Sequence, residues 1–148
     1  MKVHLVTLLL FSLAQGCANN DCSDSQPPQP AALNFYITDN KGINLVKDQN
    51  SIYHPDSIRL FLNRNQTLLQ RNFDTQSGGY LFTTYPGERT SGGQLYQLYL
   101  NQSDSDSLEV LYTVTEGECF PVLRFTVFFF NGRQVYPDGK TNTLKLVK

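Results

Sequence analysis

The chain has 148 residues, with 12 Lys and Arg against 13 Asp and Glu and a formal net charge of −1 at neutral pH. It contains no run of basic residues, so it lacks the electrostatic footprint of a nucleic-acid-binding protein and we expect no nucleic-acid partner. The length suits one folded domain with a substantial hydrophobic core.

The first predicted element is an export signal at residues 1–16. A short, mildly basic start, Met1–His4, precedes an uncharged and mostly apolar run, Leu5–Ala14. This order is typical of a secretory signal. The run is shorter than the roughly 20 residues that cross a bilayer as a helix, and no later apolar stretch is long enough either. We therefore expect a mature chain that does not span a membrane.

Cys17 follows the signal and allows two interpretations. Leu13–Cys17 resembles a lipobox, the lipoprotein signal whose cysteine becomes a lipidated N-terminus, although its Leu sits one place early. Ala14 and Gly16 also suit ordinary signal peptidase, which would give a soluble secreted protein. The polar, Pro-rich segment that follows favours the lipobox, with residues 17–31 as a flexible, lipid-anchored tether. We predict lipidation (a palmitate-type modification) at Cys17, the membrane as a partner through that lipid, and a location in the cell envelope at the outer membrane.

The cysteines of the predicted mature chain number three, which is odd for an exported protein. Lipidation of Cys17 would leave Cys22 and Cys119 free to form a disulfide, and the alternative is that both stay reduced. No C-x-x-C pair is present, and only one histidine remains after the signal. We expect neither a metal site nor a cofactor.

Residues 32–148 are predicted to form one all-β domain, because aromatic and β-branched residues recur between short turn signals. The candidate strands are Leu33–Thr38, Ile43–Lys47, Ser57–Asn63, Leu68–Asp74, Tyr80–Tyr85, Gln94–Leu100, Leu108–Thr115, Val122–Phe130, Gln134–Tyr136 and Thr143–Val147. This spacing predicts an antiparallel β-sandwich, immunoglobulin-like or transthyretin-like, with a β-barrel as second choice.

Alternation of apolar residues predicts which side chains face the core. Two inward sets are Ile58, Leu60 and Leu62, and Leu108, Val110, Tyr112 and Val114. A third, on an interior strand Val122–Phe130, is Leu123, Phe125, Val127 and Phe129. Asn131-Gly132, directly after Phe130, is the strongest hairpin signal in the chain. We therefore expect Phe130 at a turn to matter less for stability than Phe125.

Several short motifs resemble known families. Phe35–Leu45 resembles the opening hairpin of carboxypeptidase-regulatory-like, transthyretin-like sandwich domains, with its pattern of strand, Asp and Gly turn, and strand. The whole layout resembles small envelope lipoproteins of Bacteroidota. Its elements are Cys17, an F-x-I-T-D-x-x-G-x-x-L hairpin, the Y-H-P-D-S-I-R-L segment Tyr53–Leu60 and the F-N-G turn Phe130–Gly132. This resemblance implies an envelope location and no particular activity.

The candidates for chemistry are few. His54 is the only histidine outside the signal, and no Ser or Cys stands in a nucleophile motif, so we predict that the protein is not an enzyme. Asp104 and Asp106 alternate with serines and could offer oxygen ligands to Ca²⁺. The Gly and distal Glu of a calcium loop are missing, however, which favours a polar turn.

Binding remains the expected role. The chain has 8 tyrosines, most of which we expect to be half-buried in strands. The exposed loops that would carry recognition contain Tyr53 and His54, and Tyr85 and Arg89. The leading hypothesis is a non-catalytic envelope lipoprotein that binds or scaffolds another envelope component. The alternative is a carbohydrate- or peptide-binding module of a surface uptake system.

Overall fold

The computed structural model describes residues 22, 26–48, 50–86, 90–139 and 141–148. The predicted signal, Cys17 and part of the predicted tether lie outside the described residues. Within those ranges, no helix is long and apolar enough to cross a membrane. The strands are β1 (Leu33–Thr38), β2 (Arg59–Leu62), β3 (Asn65–Gln66), β4 (Gln70–Asp74), β5 (Gly79–Thr84), β6 (Gly92–Asn101), β7 (Asp104–Thr115), β8 (Val122–Phe130), β9 (Arg133–Val135) and β10 (Thr143–Val147).

The strands form two sheets that are not closed into a barrel. A four-stranded sheet has the order β10-β1-β5-β4, and a six-stranded sheet has the order β3-β2-β6-β7-β8-β9. All neighbours are antiparallel except β1 and β10, which run parallel. The all-β sandwich is therefore confirmed, and the barrel is excluded.

The core lies between the two sheets and follows the predicted alternation. In β2 and β7 every second side chain points inward, and Leu60, Leu108 and Val110 are fully buried. The four-stranded sheet supplies Phe35 and Phe82, whose stacked rings lie 5.5 Å apart. Because both inner faces are apolar, the two sheets exclude water from a single contiguous cluster.

The predicted strand Ile43–Lys47 is wrong, because this segment makes only a single ladder bridge. It lies instead between the diverging ends of β1 and β5. The Leu45 N–H donates to the Ile37 carbonyl at 2.8 Å, and the Tyr80 N–H donates to the Val46 carbonyl at 2.8 Å. Since the β1–β5 ladder covers only the first three residues of β1, the inserted segment satisfies backbone groups that would otherwise lack partners.

Strand β8 has the predicted bounds but contains an irregularity. Leu111 of β7 pairs with Val127, whereas the next residue, Tyr112, pairs with Phe125. Thr126 is therefore an extra residue on β8, which is the definition of a β-bulge. Among the described residues, β8 lies between two strands only at Phe128–Phe130, where β9 pairs with it. The prediction of an interior strand therefore holds for this second half, and the first half is an edge of the described sheet.

The bulge corrects the predicted face of β8 in its second half. Before the bulge, Leu123 and Phe125 pair with inward residues of β7, as predicted. After it, Phe128 and Phe130 are buried in the core, whereas Val127 and Phe129 are only half-buried. The predicted inward position of Val127 and Phe129 is wrong, because one extra residue reverses the phase of a two-residue repeat.

The turn after β8 matches its prediction. Asn131 and Gly132 have φ values of 49° and 75°, and Phe130 pairs with Arg133 across the hairpin. Positive φ at both central positions defines the turn type that Asn-Gly favours. This local signal therefore fixes where β8 ends and β9 begins.

The expectation that Phe130 matters less for stability than Phe125 is wrong, because Phe130 is buried in the core and Phe125 is only half-buried. Phe130→Ala should lower the free energy of unfolding by about 3–5 kcal/mol, because the ring is buried in the core. Phe129→Ala, one residue earlier, should cost about 1 kcal/mol or less. Urea unfolding of both variants without reductant measures the difference. Equal costs, or a larger cost at Phe129, would show that the bulge is not where we place it.

Candidate functional site

Cys22 and Cys119 form a disulfide, with their Cα atoms 5.4 Å apart across a sequence separation of 97. This is one of the two alternatives that the cysteine count left open. Cys119 lies in the loop between β7 and β8, so the bond fixes Cys22 at one end of the sandwich. Residues 28–31, just before β1, line a small cavity there together with Pro86 and Pro121. We call this the disulfide end.

Tyr53 and Tyr85, the described tyrosines of the two loops predicted to carry recognition, do not lie on one surface. Tyr85 directly follows Thr84, which pairs with the first residue of β1, so it lies at the disulfide end. The Tyr53 N–H donates to the carbonyl of Leu45, and the Leu45 N–H donates to Ile37 near the end of β1. The two loops are separated by most of β1, roughly 15 Å. Tyr85 is exposed and Tyr53 is buried, while Arg89 lies outside the described residues.

His54 has a local structural role. Its Nδ1 accepts a hydrogen bond from the Asp56 N–H at 3.1 Å and so caps the 3-10 turn Pro55–Ser57. The Ser57 hydroxyl donates to main-chain carbonyls, those of His54 and Leu100, and not to the imidazole. Ser57 is therefore not arranged as a nucleophile activated by this histidine.

A charged cluster occupies the opposite end of the sandwich. The Lys148 ammonium lies 2.8 Å from Asp104 Oδ1 and 2.8 Å from Asp106 Oδ2. The Tyr53 hydroxyl donates to Asp104 Oδ2 at 2.5 Å, and the Asn131 amide donates to Asp106 Oδ1 at 2.8 Å. We call these five residues the acid–lysine cluster, and its location the cluster end.

Hydrogen bonds within the acid–lysine cluster shift the pKa values of its members. The Lys148 and Tyr53 hydrogen bonds hold the pKa of Asp104 below its ordinary value. Burial lowers the pKa of Lys148, but its bonds to Asp104 and Asp106 outweigh burial and raise it. Burial and the bond to Asp104 raise the pKa of Tyr53 to about 12. At neutral pH the phenol is neutral and the Asp104 carboxylate and the ammonium are charged, so both aspartates engage a cation that the chain itself provides.

The sequence suggested a turn at Ser103–Ser107, but β7 already begins at Asp104. Asp104 and Asp106 occupy the positions in β7 where the alternation continues with Leu108 and Val110, so they point toward the inside of the sandwich. Asp106 is 6% exposed at its side chain. Two carboxylates on the inward face of a strand require a cationic partner, which is a signal that the sequence contains. No local pattern, however, identifies that partner as Lys148.

The outer face of the six-stranded sheet is the candidate binding surface. An antiparallel sheet usually packs one face and exposes a polar one. The four-stranded sheet follows that rule: on its outer face Thr83 donates to Asn34, and Tyr36 donates to Asp74. The six-stranded sheet does not, since its outer face carries an apolar stripe. The stripe consists of Phe61, Leu95, Tyr99, Leu111, Val127 and Phe129.

Strand register brings the stripe together across four strands. Leu95 pairs with Glu109, which pairs with Phe129, and the next outward row joins Leu111 to Val127. Leu95 is 63% exposed, and the other five members are half-buried. Contiguous apolar surface of this kind marks an interaction site more often than isolated exposed residues do.

Polar side chains border the stripe. Arg59 and Gln97 lie on the same outer face, and Glu109 stands within the stripe between Leu95 and Phe129. A shallow groove of about 470 Å³ runs beside them, lined by Phe61, Asn63, Arg64, Leu95, Gln97, Ser105, Ser107 and Asn131. Sequence reasoning missed this face because it placed Val127 and Phe129 in the core. The signal was present in Leu95 and Leu111, whose apolar side chains are out of phase with the inward residues of their strands.

Gly93 shapes one end of the stripe. A Cβ atom at this position would lie 2.6 Å from Leu111 Cδ2, because the leucine side chain lies over the glycine. A larger residue at Gly93 would displace Leu111 and change the surface without touching the core.

Comparisons with known proteins give no match: no family model, no curated protein and no solved structure proves similar to this chain. The resemblances found in the short motifs therefore stay predictions, and the assignment of function rests on the geometry and the sequence.

The cluster yields a stability prediction. Lys148→Met should lower the free energy of unfolding at pH 7 by about 2–3 kcal/mol, because it leaves the buried Asp106 without its cation. The pKa of Asp104 is depressed in the fold, so its contribution is present above the unfolded pKa and lost as pH falls through the folded one. The deficit of the variant should therefore shrink between about pH 5 and pH 3.

Lys145→Met is the matched control. Lys145 is 58% exposed at its side chain and lies 3.9 Å from Asp138, so its loss should cost less than about 1 kcal/mol. Urea midpoints at pH 7 and pH 3 compare the two variants. If Lys148→Met were no worse than Lys145→Met at pH 7, the cluster would contribute nothing to stability.

Proposed function

We propose that the protein is an exported cell-envelope lipoprotein, anchored through Cys17, whose sandwich binds or scaffolds another envelope component without catalysis. The observation that carries the proposal is the Cys22–Cys119 disulfide. Stable disulfides are typical of oxidising compartments outside the cytoplasm, which agrees with the signal-like residues 1–16.

The disulfide also bears on the odd cysteine. Of the three cysteines in the sequence, Cys22 and Cys119 are bonded to each other, so the remaining one is Cys17, at the end of the signal-like segment. A cysteine in that position with no disulfide partner in the same chain is what a lipid attachment requires. This supports lipidation over simple secretion.

The outer face of the six-stranded sheet supports a binding role for the domain. An apolar centre with a border of amides, hydroxyls and charges is the usual composition of a protein–protein interface. The stripe lies on rigid strands rather than loops, so a partner would meet a preorganised surface. The Glu109 carboxylate within the stripe favours a partner that presents a basic group among apolar ones.

A carbohydrate- or peptide-binding module is the second candidate, and the same face favours it. Phe61, Tyr99 and Phe129 offer rings for stacking, and Gln97 and Glu109 offer hydrogen-bonding groups beside them. The tyrosines do not supply this site as a group. Tyr96 and Tyr112 are buried in the core, and the exposed Tyr85 lies at the disulfide end.

The anchor is tested by fractionation. The native protein, expressed in a host that processes lipoproteins, should partition with membranes, and its intact mass should show a lipid on Cys17. Cys17→Ser should release it to the soluble fraction or leave the signal uncleaved, and Cys22→Ser should not. A mature chain with an unmodified Cys17 at its N-terminus would overturn the lipoprotein assignment.

The second candidate is tested by affinity electrophoresis through gels that contain soluble xylan, β-glucan, starch or dextran. Retardation by at least one of them is expected, and Tyr99→Ala should reduce the apparent affinity about tenfold, the loss of one ring contact. Tyr85→Ala should leave it unchanged. A larger loss of affinity for Tyr85→Ala than for Tyr99→Ala would show that the loops bind the glycan. If no polymer retarded the protein, the neutral glycans tested would be excluded as ligands.

A further inference from the structure

The disulfide shortens the chain that joins Cys17 to the folded domain. Cys17 precedes Cys22 by five residues, and Cys22 is bonded to Cys119 in the β7–β8 loop. A fully extended chain spans at most about 3.6 Å per residue, so Cys17 lies within about 18 Å of the disulfide end. Without the bond, the first contact with the domain would be Pro28, which lines the cavity beside Pro121, and the reach would be about 40 Å.

The length of the sandwich lies between the reach of the connection with the disulfide and its reach without the disulfide. β7 runs from Asp104 at the cluster end to Thr115 at the disulfide end. Its twelve residues span roughly 35–40 Å. A connection of about 18 Å can bring the disulfide end to a membrane but cannot let the cluster end reach it, whereas a connection of about 40 Å would let either end reach it.

We propose that the disulfide end is the surface that faces the lipid bilayer, and that the disulfide fixes this orientation. The inference rests on the proposed lipid anchor at Cys17. It commits to lipid headgroups as the occupant of this end and directs the cluster end, with the turn at Asn101–Asp104, away from the membrane.

The composition of the disulfide end indicates what holds it there. Glu116 and Glu118 are exposed, and both would be repelled by an anionic leaflet. Tyr85 and Pro121 are also exposed and are compatible with a headgroup environment. The short covalent connection, rather than attraction by charge, therefore holds this end near the bilayer.

The test is energy transfer to a labelled membrane. The lipidated protein, carrying a small fluorescent amino acid at Glu116 or at Ser103, is reconstituted into phosphatidylcholine vesicles that contain rhodamine lipid. Transfer should be at least about threefold more efficient from position 116 than from position 103, because the two ends differ by the length of β7. Equal efficiencies, or the reverse order, would overturn the proposal.

A longer connection is the control that preserves the fold. Insertion of about twelve Gly and Ser residues after Asn19 leaves the disulfide intact and restores a long reach. The difference in transfer efficiency between positions 116 and 103 should then fall by at least about half, because the longer connection lets the domain reorient freely. An unchanged difference would show that something other than the short connection sets the orientation. Free-thiol counting confirms that Cys22 and Cys119 remain oxidised in each sample.

A second arm separates this proposal from the lipid anchor itself. The chain from Cys17 onward, with its disulfide intact, is coupled through the Cys17 thiol to a maleimide lipid in the same vesicles. If natural lipidation fails but the coupled protein shows the expected difference, the lipoprotein assignment is wrong and the geometric inference holds for an anchor at Cys17. If the coupled protein shows no difference, the orientation proposal is wrong whatever the state of the native N-terminus.

Discussion

The register shift between β7 and β8 is the constraint on which both faces of the six-stranded sheet depend. Thr126 is one residue more than the ladder needs, and it reverses the phase of everything that follows in β8. Phe128 and Phe130 thereby enter the core, and Val127 and Phe129 reach the outer face. Without the bulge the same nine residues would put Val127 and Phe129 inside. The apolar stripe would then lose its two members from β8, so one local irregularity produces both the packing and the candidate binding surface.

The two ends of the sandwich are closed by different chemistry. At one end the alternation of β7 continues past Leu108 into Asp106 and Asp104, so carboxylates stand where the core would otherwise open to water. Lys148, which follows β10 of the other sheet, reaches across to both of them. The ion pairs thus join the two sheets. Lys148 and Asn131 donate hydrogen bonds to Asp106 Oδ1, and the Lys148 ammonium also lies 2.8 Å from Asp106 Oδ2. At the other end the connection is covalent, and it is insensitive to the acid that would protonate Asp104.

The sequence predicts those parts of the fold that short-range chemistry decides. The bounds of β1, β8 and β10 and the Asn131-Gly132 hairpin follow from local alternation and turn preference, which the chain expresses within a few residues. The insertion of Leu45 and Val46 between β1 and β5, the bulge at Thr126 and the partner of Asp106 do not, because each depends on segments distant in sequence. An apolar segment such as Ile43–Lys47 satisfies the pattern of a strand, yet only the divergence of β1 from β5 decides how its backbone groups are paired.

The Cys22–Cys119 disulfide affects both the stability of the domain and the point at which the N-terminal chain is attached to it. It closes a loop of 97 residues that contains β1 to β7, and in the chain-entropy description such a closure disfavours the unfolded state by about 4–5 kcal/mol. The same bond moves the attachment point of the N-terminal chain from residues 28–31, which precede β1, to the β7–β8 loop. Stabilisation would be similar for any two cysteines that close so long a loop. Placement depends on where Cys119 lies, at the end of the sandwich opposite Lys148. If the proposed anchor at Cys17 holds, the position of the bond therefore matters more for orientation than for stability.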